Sequence, residues 1–157
     1  MQVFLVRHAE AVDETLALRD PYRHLTPRGR TQARALGDRL RWHDCLPTRI
    51  WASPLVRAVQ TAELVAHGLN ADTQVEIVPA LAPDGNAREL HQAVRALSVL
   101  EAVMLVGHEP ALSAIGSLII ARDFEALDKA QAARIVDGTL RWRFAWDADA
   151  PQALGKP

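Results

Sequence analysis

The apolar run Val3-Phe4-Leu5-Val6 stops at Arg7-His8, and no helical period fits it. Consecutive apolar residues at strand length ask for burial on both faces, so residues 2–7 read as a buried strand of a sheet covered on both sides. Such a strand hands a guanidinium and an imidazole to its C-terminal end. That end is where open α/β sheets bind their ligands.

The pattern recurs along the chain. Residues 48–52 form a second short apolar strand, and Ser53-Pro54 then caps and starts a helix from Leu55 to about Leu69. Residues 75–78 make a third strand, ended by Pro79, and Pro83-Asp84-Gly85 is turn chemistry. A helix follows over about 87–97. Residues 101–106 are apolar nearly throughout, which predicts a central strand. It ends in Gly107-His108-Glu109-Pro110, and Pro110 opens a helix to about Ile120.

Between the first two strands lies a polar loop, 10–26, with a short helical turn expected over 13–18. Thr26 is then the N-cap and Pro27 the first residue of a helix to about Trp42, with Ala33, Leu36 and Leu40 on one face. Gly29, in its first turn, either admits another backbone or ligand or is merely tolerated. Near the C-terminus, 132–136 and 140–146 alternate around Asp137-Gly138, a hairpin signal. On that alternation Trp142 and Trp146 share a face with Leu140 as packing residues. Residues 122–128 read as a solvent-facing linker and 148–157 as a frayed tail. The expected fold is a three-layer α/β/α sandwich, its sheet mostly parallel with an antiparallel edge. One domain spans 1–147.

At 157 residues and a net charge of −1, with acids and bases interspersed, the chain offers neither a nucleic-acid tract nor a membrane-surface patch. Its apolar start is only a strand long, so no signal peptide or transmembrane helix is expected. A single cysteine, Cys45, excludes an internal disulfide and a cysteine metal cluster, and a cytoplasmic location follows as the default.

The strand ends and helix starts collect Arg7, His8, Arg57 and His108. Two guanidiniums, two imidazoles and the N–H groups of helix starts suit a tetrahedral dianion such as phosphate. Arg57, in the first turn of a helix, opposes the helix dipole unless an anion sits opposite; a solvated surface arginine is the alternative. No nucleophilic serine or cysteine context, phosphate-cradling glycine loop or H-E-x-x-H metal spacing is present, and His24, His43, His67 and His91 have no partner motif. Two arginines beside the same histidines would repel a metal cation.

Arg7-His8 after the first strand, Ser53-Pro54-x-x-Arg57-Ala58-x-x-Thr61 after the second and Gly107-His108 after the fourth resemble the histidine phosphatase, or phosphoglycerate mutase-like, superfamily. The resemblance spans about 1–120 and includes Leu25-Thr26-Pro27-x-Gly29. The Met-Gln-Val-Phe start and the Pro79-Ala80-Leu81-x-Pro83-x-Gly85-Asn86 turn are similar to small bacterial phosphohistidine phosphatases of the SixA type. The resemblance implies His8 as nucleophile, forming a phosphohistidine intermediate. It implies Arg7 and Arg57 as phosphate ligands, and His108, protonated by the phosphate, as a third cation. It implies no cofactor and no metal. Larger relatives carry a general-acid glutamate after the third strand. Here that loop is short, and the candidates are Asp84 in it and Glu109 beside His108, with Glu10 a further neighbour.

A site without a committed acid suits P–N cleavage, because a leaving imidazole, titrating near pH ~6.5, takes its proton from water. The expected substrate is therefore phosphohistidine on a protein, for instance a histidine phosphotransfer domain. The alternatives are a small-molecule phosphomonoesterase acting on a phosphate ester with Asp84 or Glu109 as acid, or a non-catalytic phosphate-binding domain.

Overall fold

The computed structural model describes residues 1–154. Its elements are β1 (Gln2–Arg7), α1 (Pro27–Trp42), β2 (Arg49–Ala52), α2 (Val56–Leu69), β3 (Val75–Ile77), α3 (Ala87–Arg95), β4 (Ala102–Gly107), α4 (Ala111–Ile120), β5 (Gln131–Val136), β6 (Thr139–Ala145) and β7 (Gln152–Ala153). They build one seven-stranded sheet in the order β3-β2-β4-β1-β5-β6-β7. The first four of these strands run parallel, and β5, β6 and β7 extend the sheet antiparallel.

The two-sided burial that the apolar runs require is met residue by residue. Phe4, Val6, Met104 and Val106 pack with Leu36 and Leu40 of α1 and Ala62 and Val65 of α2. Val3, Leu5, Val103 and Leu105 pack on the other face with Leu90 and Val94 of α3 and Leu112 and Ile115 of α4. Burying each large aliphatic side chain stabilises the fold by roughly 1.5–3 kcal/mol. Thr26 caps α1 by accepting from the Gly29 N–H at 2.9 Å, as its sequence signature requires. Gly29 answers the question its position raised: a Cβ there would lie 1.9 Å from the Glu10 carbonyl oxygen, so its empty side lets the chain after β1 pass over the helix.

Five expectations need correction. Residues 13–18 are not helical. Thr15 closes a tight turn there, its hydroxyl accepting from the Leu18 N–H at 3.0 Å, and a single 3-10 turn follows at Asp20–Tyr22. Helix α2 begins after Leu55, not at a Ser53 cap: the Ser53 hydroxyl accepts from the Leu55 N–H at 3.4 Å, ahead of the helix, and also meets His108. Leu140 does not share a face with Trp142. A bulge lets Arg134 face Trp142 while its neighbour Ile135 faces Leu140, so Leu140 joins the α3/α4 side and Trp142 the α1/α2 side. Residues 122–128 are not a solvent-facing linker: Phe124 and Leu127 are buried, and Phe124 fills the space beside Gly116, where a Cβ would come within 2.6 Å of its ring. Part of the expected tail is a strand, since β7 pairs with β6; residues 155–157 of that tail lie outside the described residues.

Candidate active site

Register alone brings the two histidines together. β1 and β4 pair in parallel with Arg7 opposite Gly107, so the next residues, His8 and His108, leave the sheet side by side. On the other flank of β4, Ala52 of β2 lies opposite Val106, which puts Ser53 next to His108. The imidazole centroids of His8 and His108 are 5.1 Å apart, with the rings tilted by 55°.

Each imidazole is fixed by one hydrogen bond. Nδ1 of His8 lies 2.8 Å from the Ala9 carbonyl oxygen. A carbonyl can only accept, so Nδ1 carries the proton and Nε2 presents a bare lone pair. Burial pushes the His8 pKa down to about 4, and the guanidiniums of Arg57 and Arg7 add to the effect. Nε2 of His108 meets the Ser53 hydroxyl at 2.8 Å. Burial, then the neighbouring His8 and Arg57, depress the His108 pKa to about 3. Both rings are therefore neutral at pH 7 in this structure. When the Ser53 hydroxyl donates into Nε2, His108 holds its proton on Nδ1 and remains a donor without a positive charge.

The arginines are held by carbonyls on opposite sides. Arg7 donates from Nη1 to the Leu127 carbonyl at 2.7 Å. Arg57 donates from Nη1 to the Asp20 carbonyl at 2.9 Å and from Nη2 to the Asp20 carboxylate at 3.3 Å. Thr61, four residues along α2, ties the two halves together. Its hydroxyl donates to the Arg57 carbonyl at 2.7 Å and accepts from the Ala9 N–H at 3.1 Å, steadying the residue whose carbonyl orients His8.

Buried polar atoms rarely lack a partner. Among the described residues, four buried side-chain nitrogens do: Arg7 Nε, Arg57 Nε, His108 Nδ1 and Trp51 Nε1. Three of the four belong to the residues singled out as phosphate ligands, so the unmet donor capacity of this fold is concentrated at the carboxyl end of β1 and β4.

The acidic neighbours are less suggestive. Glu109 is spent on structure: it accepts from the N–H and hydroxyl of Ser113 and from the Leu127 N–H at 2.9 Å. Leu127 is the residue whose carbonyl holds Arg7, so Glu109 anchors the backbone one peptide before the carbonyl that aims the guanidinium. Glu10 accepts from the Thr26 hydroxyl at 2.7 Å and from Arg28 at 3.0 Å, which lowers its pKa. Asp84 is exposed, on the turn after Leu81, whose side chain lies against Gly107.

Sequence reasoning assigned no role to Asp20 or to the 127–130 segment, and it took Ser53 for a cap. Asp20 sits in a polar loop without periodicity, and its contact with Arg57 spans 37 residues. In the 127–130 segment, the Leu127 carbonyl takes Arg7, and the N–H of Ala130, a residue with φ of 53°, donates to the His8 carbonyl at 3.2 Å. The only available signal for Ser53 was its place in the Ser-Pro-x-x-Arg spacing.

An α/β sheet whose carboxyl edge gathers unpaired cationic donors around an unprotonated imidazole nitrogen defines a phosphate-handling protein of the three-layer class. Comparison with known proteins narrows this. Residues 3–83 match the family model described as histidine phosphatase superfamily (branch 1). The chain is 32% identical over 112 residues to the phosphohistidine phosphatase SixA of Escherichia coli K12, covering 70% of this chain and 68% of that protein. It is 36% identical over 129 residues to a SixA homolog of Haemophilus influenzae, covering 73% and 74%. Among solved structures, protein histidine phosphatase SixA complexed with tungstate superposes with a TM-score of 0.85 at 25% identity, over 93% of this chain and 97% of that one. The chain belongs to the histidine phosphatase superfamily, branch 1, is of the SixA type, and is a phosphatase.

Proposed function

We propose that this phosphatase removes phosphate from phosphohistidine on a protein, through a phosphohistidine of its own. His8 Nε2 attacks phosphorus in line; the new P–N bond forms as the bond to the substrate imidazole breaks, and the leaving ring takes a proton from water. Arg7, Arg57 and His108 Nδ1 hold the phosphoryl oxygens and stabilise their charge in the loose transition state. Water then attacks the phosphorylated His8, phosphate departs, and Nε2 regains its lone pair. The observation that carries the reading is the conjunction at one sheet edge of a bare His8 Nε2 with three unpaired buried donors.

Three observations support the protein phosphohistidine substrate. Among the curated relatives matched over more than two thirds of their length are the phosphohistidine phosphatase SixA of Escherichia coli and a SixA homolog. The carboxylate nearest in sequence to His108 is engaged three times as an acceptor, which fits a reaction that needs no enzyme acid. The turn after β3 is short, which leaves room for a side chain presented by another protein, such as a histidine phosphotransfer domain. Action in the cytoplasm belongs to the same reading and accords with a lone, buried cysteine.

The test is twofold. Labelled phosphate from a phosphohistidine protein should be trapped on the wild-type chain and not on His8→Ala. Turnover should favour that substrate over sugar phosphates. A preference for sugar phosphates that collapses in Asp84→Asn would assign the chain instead to phosphomonoester hydrolysis with Asp84 as acid.

A further inference from the structure

A carboxylate bonded to an arginine of a phosphate site calls for an explanation, because the two anions want the same donors. Asp20 is that carboxylate. It opens a single 3-10 turn, Asp20-Pro21-Tyr22, closed by the Arg23 N–H donating to the Asp20 carbonyl at 3.2 Å. The same carbonyl accepts from Arg57 Nη1 at 2.9 Å. The two carboxylate oxygens are divided between two arginines, Oδ1 taking Arg23 at 2.9 Å and Oδ2 taking Arg57 at 3.3 Å. The turn is anchored independently of these contacts: Arg23 Nε donates to the Val12 carbonyl at 2.7 Å, and the Val12 N–H donates to the His24 carbonyl at 2.9 Å.

The geometry separates two functions within one residue. The main-chain carbonyl makes the shorter bond to Arg57 and carries no net charge. The carboxylate makes the longer bond and carries a full one. Its side chain is 41% exposed, while that of Arg57 is 6% exposed. The fixed partner of the pair is thus the buried cation, and the partner with access to water is the anion.

Resting on the reading that Arg57 binds phosphate, we propose that Asp20 is a positioning residue with a second effect: its carbonyl aims Arg57 into the site, and its carboxylate competes with phosphate for the same guanidinium. The consequence is a site that grips phosphate less tightly than its cations alone would allow. In a hydrolase whose last step is loss of inorganic phosphate, a weaker hold on the product favours release. The residue that confers this stands 37 positions away in sequence from the arginine it acts on.

The probe is inorganic phosphate, titrated calorimetrically into wild type, Asp20→Asn, Asp20→Glu, Arg57→Ala and the Asp20→Asn/Arg57→Ala double variant. Asparagine keeps the main-chain carbonyl and an amide acceptor while removing the charge. Asp20→Asn should bind phosphate roughly three- to tenfold more tightly than wild type, the size expected for one partly screened charge close to a dianion. Its inhibition constant for phosphate during turnover should fall by the same factor. Asp20→Glu keeps the charge and should stay within about twofold of wild type. Arg57→Ala should weaken binding, and adding Asp20→Asn to it should tighten binding by a clearly smaller factor than in the wild-type background, because only the through-space repulsion is then left to remove.

A structural role for Asp20 would loosen binding in Asp20→Asn and lower its melting temperature, and that result overturns the proposal. So does equal tightening in Asp20→Asn and Asp20→Glu, which would remove charge as the cause. Should Arg57→Ala bind phosphate as wild type does, the underlying assignment of Arg57 fails, and not merely the role given to Asp20.

Discussion

At the amino end of β2 and β4, Arg49 donates to both Glu101 and Glu76, and Glu101 also accepts from the Ser98 N–H at 2.8 Å. At the carboxyl end of β1 and β4, Arg7 and Arg57 each leave a buried Nε without a partner, and His108 leaves Nδ1. Strand β4 is common to both ends, yet the charges are handled differently. The amino end is half-exposed and self-neutralising, with the Arg49 pKa raised and the Glu101 pKa lowered, each through their mutual hydrogen bond. The carboxyl end is buried, and its imidazoles are driven toward neutrality by desolvation and by the arginines around them. Charges that find partners within the fold stabilise it slightly. Donors that the fold buries and leaves unmatched cost stability, and on the proposed function phosphate is what would match them.

The contrast is broken most severely by removing a site cation. Arg7→Ala should lower kcat/KM on a phosphohistidine protein by about 10²–10³-fold, the range for loss of one preorganised charge-stabilising donor. Glu109 tests whether aiming that donor matters. Glu109→Ala releases the Leu127 N–H, loosening the residue whose carbonyl holds Arg7, and should cost about tenfold in kcat/KM, since small misplacements of positioned groups are felt in the transition state. Glu109→Gln retains one acceptor and should recover part of the loss. Were Glu109 a proton donor instead, glutamine would be as damaging as alanine, so steady-state kinetics on the two variants separates the roles.

Much of this arrangement was legible before any coordinates. The apolar runs 3–6 and 102–106 could only be buried strands, and the residues that end them, His8 and His108, had to emerge at one edge if the strands were parallel. What stayed hidden has a common physical cause. Asp20 with Arg57, Leu127 with Arg7 and Ser53 with His108 are contacts between loops or strand ends remote in sequence, and no hydrophobic period encodes them. The bulge between Arg134 and Ile135 likewise defeats strict alternation, because one added residue reverses every face assignment beyond it. Residues 122–128, rich in charge, read as solvent-facing. Phe124 and Leu127 bury themselves all the same, Phe124 under the Arg143 guanidinium, 4.7 Å from its ring.

The buried histidines also leave a mark on stability. Their folded-state pKa values, about 4 for His8 and about 3 for His108, lie below the ordinary value near 6.5. Between pH 6.5 and 4 the unfolded chain therefore binds protons that the folded chain refuses. Stability from this source is complete above pH ~6.5 and is lost as pH falls through the window. Each unit of unmatched titration is worth about 1.4 kcal/mol, so chemical denaturation should register a loss of about 2–5 kcal/mol from pH 7 to pH 4.5. His8→Gln and His108→Gln should each flatten the slope while the carboxylates common to all variants contribute equally. Saturating phosphate should flatten it too, by supplying an anion that favours protonated imidazole. A slope unchanged in both variants would mean that the rings titrate normally and that the carboxyl end is wetter than its geometry implies.

The smallest effect belongs to the amino end. Exposed ion pairs contribute about 0.2–1 kcal/mol each, because water screens the charges and ordering two long side chains costs entropy. Arg49 has two such pairs, but Glu101 keeps its bond from the Ser98 N–H when the arginine is removed, so it is not left without a donor. Arg49→Ala should accordingly lower stability by about 1 kcal/mol or less, with the loss shrinking further in high salt, and should leave kcat/KM within about twofold of wild type. Arg49 and Arg57 both belong to the β2–α2 unit, eight residues apart. If removing Arg49 harmed turnover as removing Arg57 does, location at the carboxyl edge could not be what makes an arginine functional here, and the division of labour between the two ends of the sheet would fail.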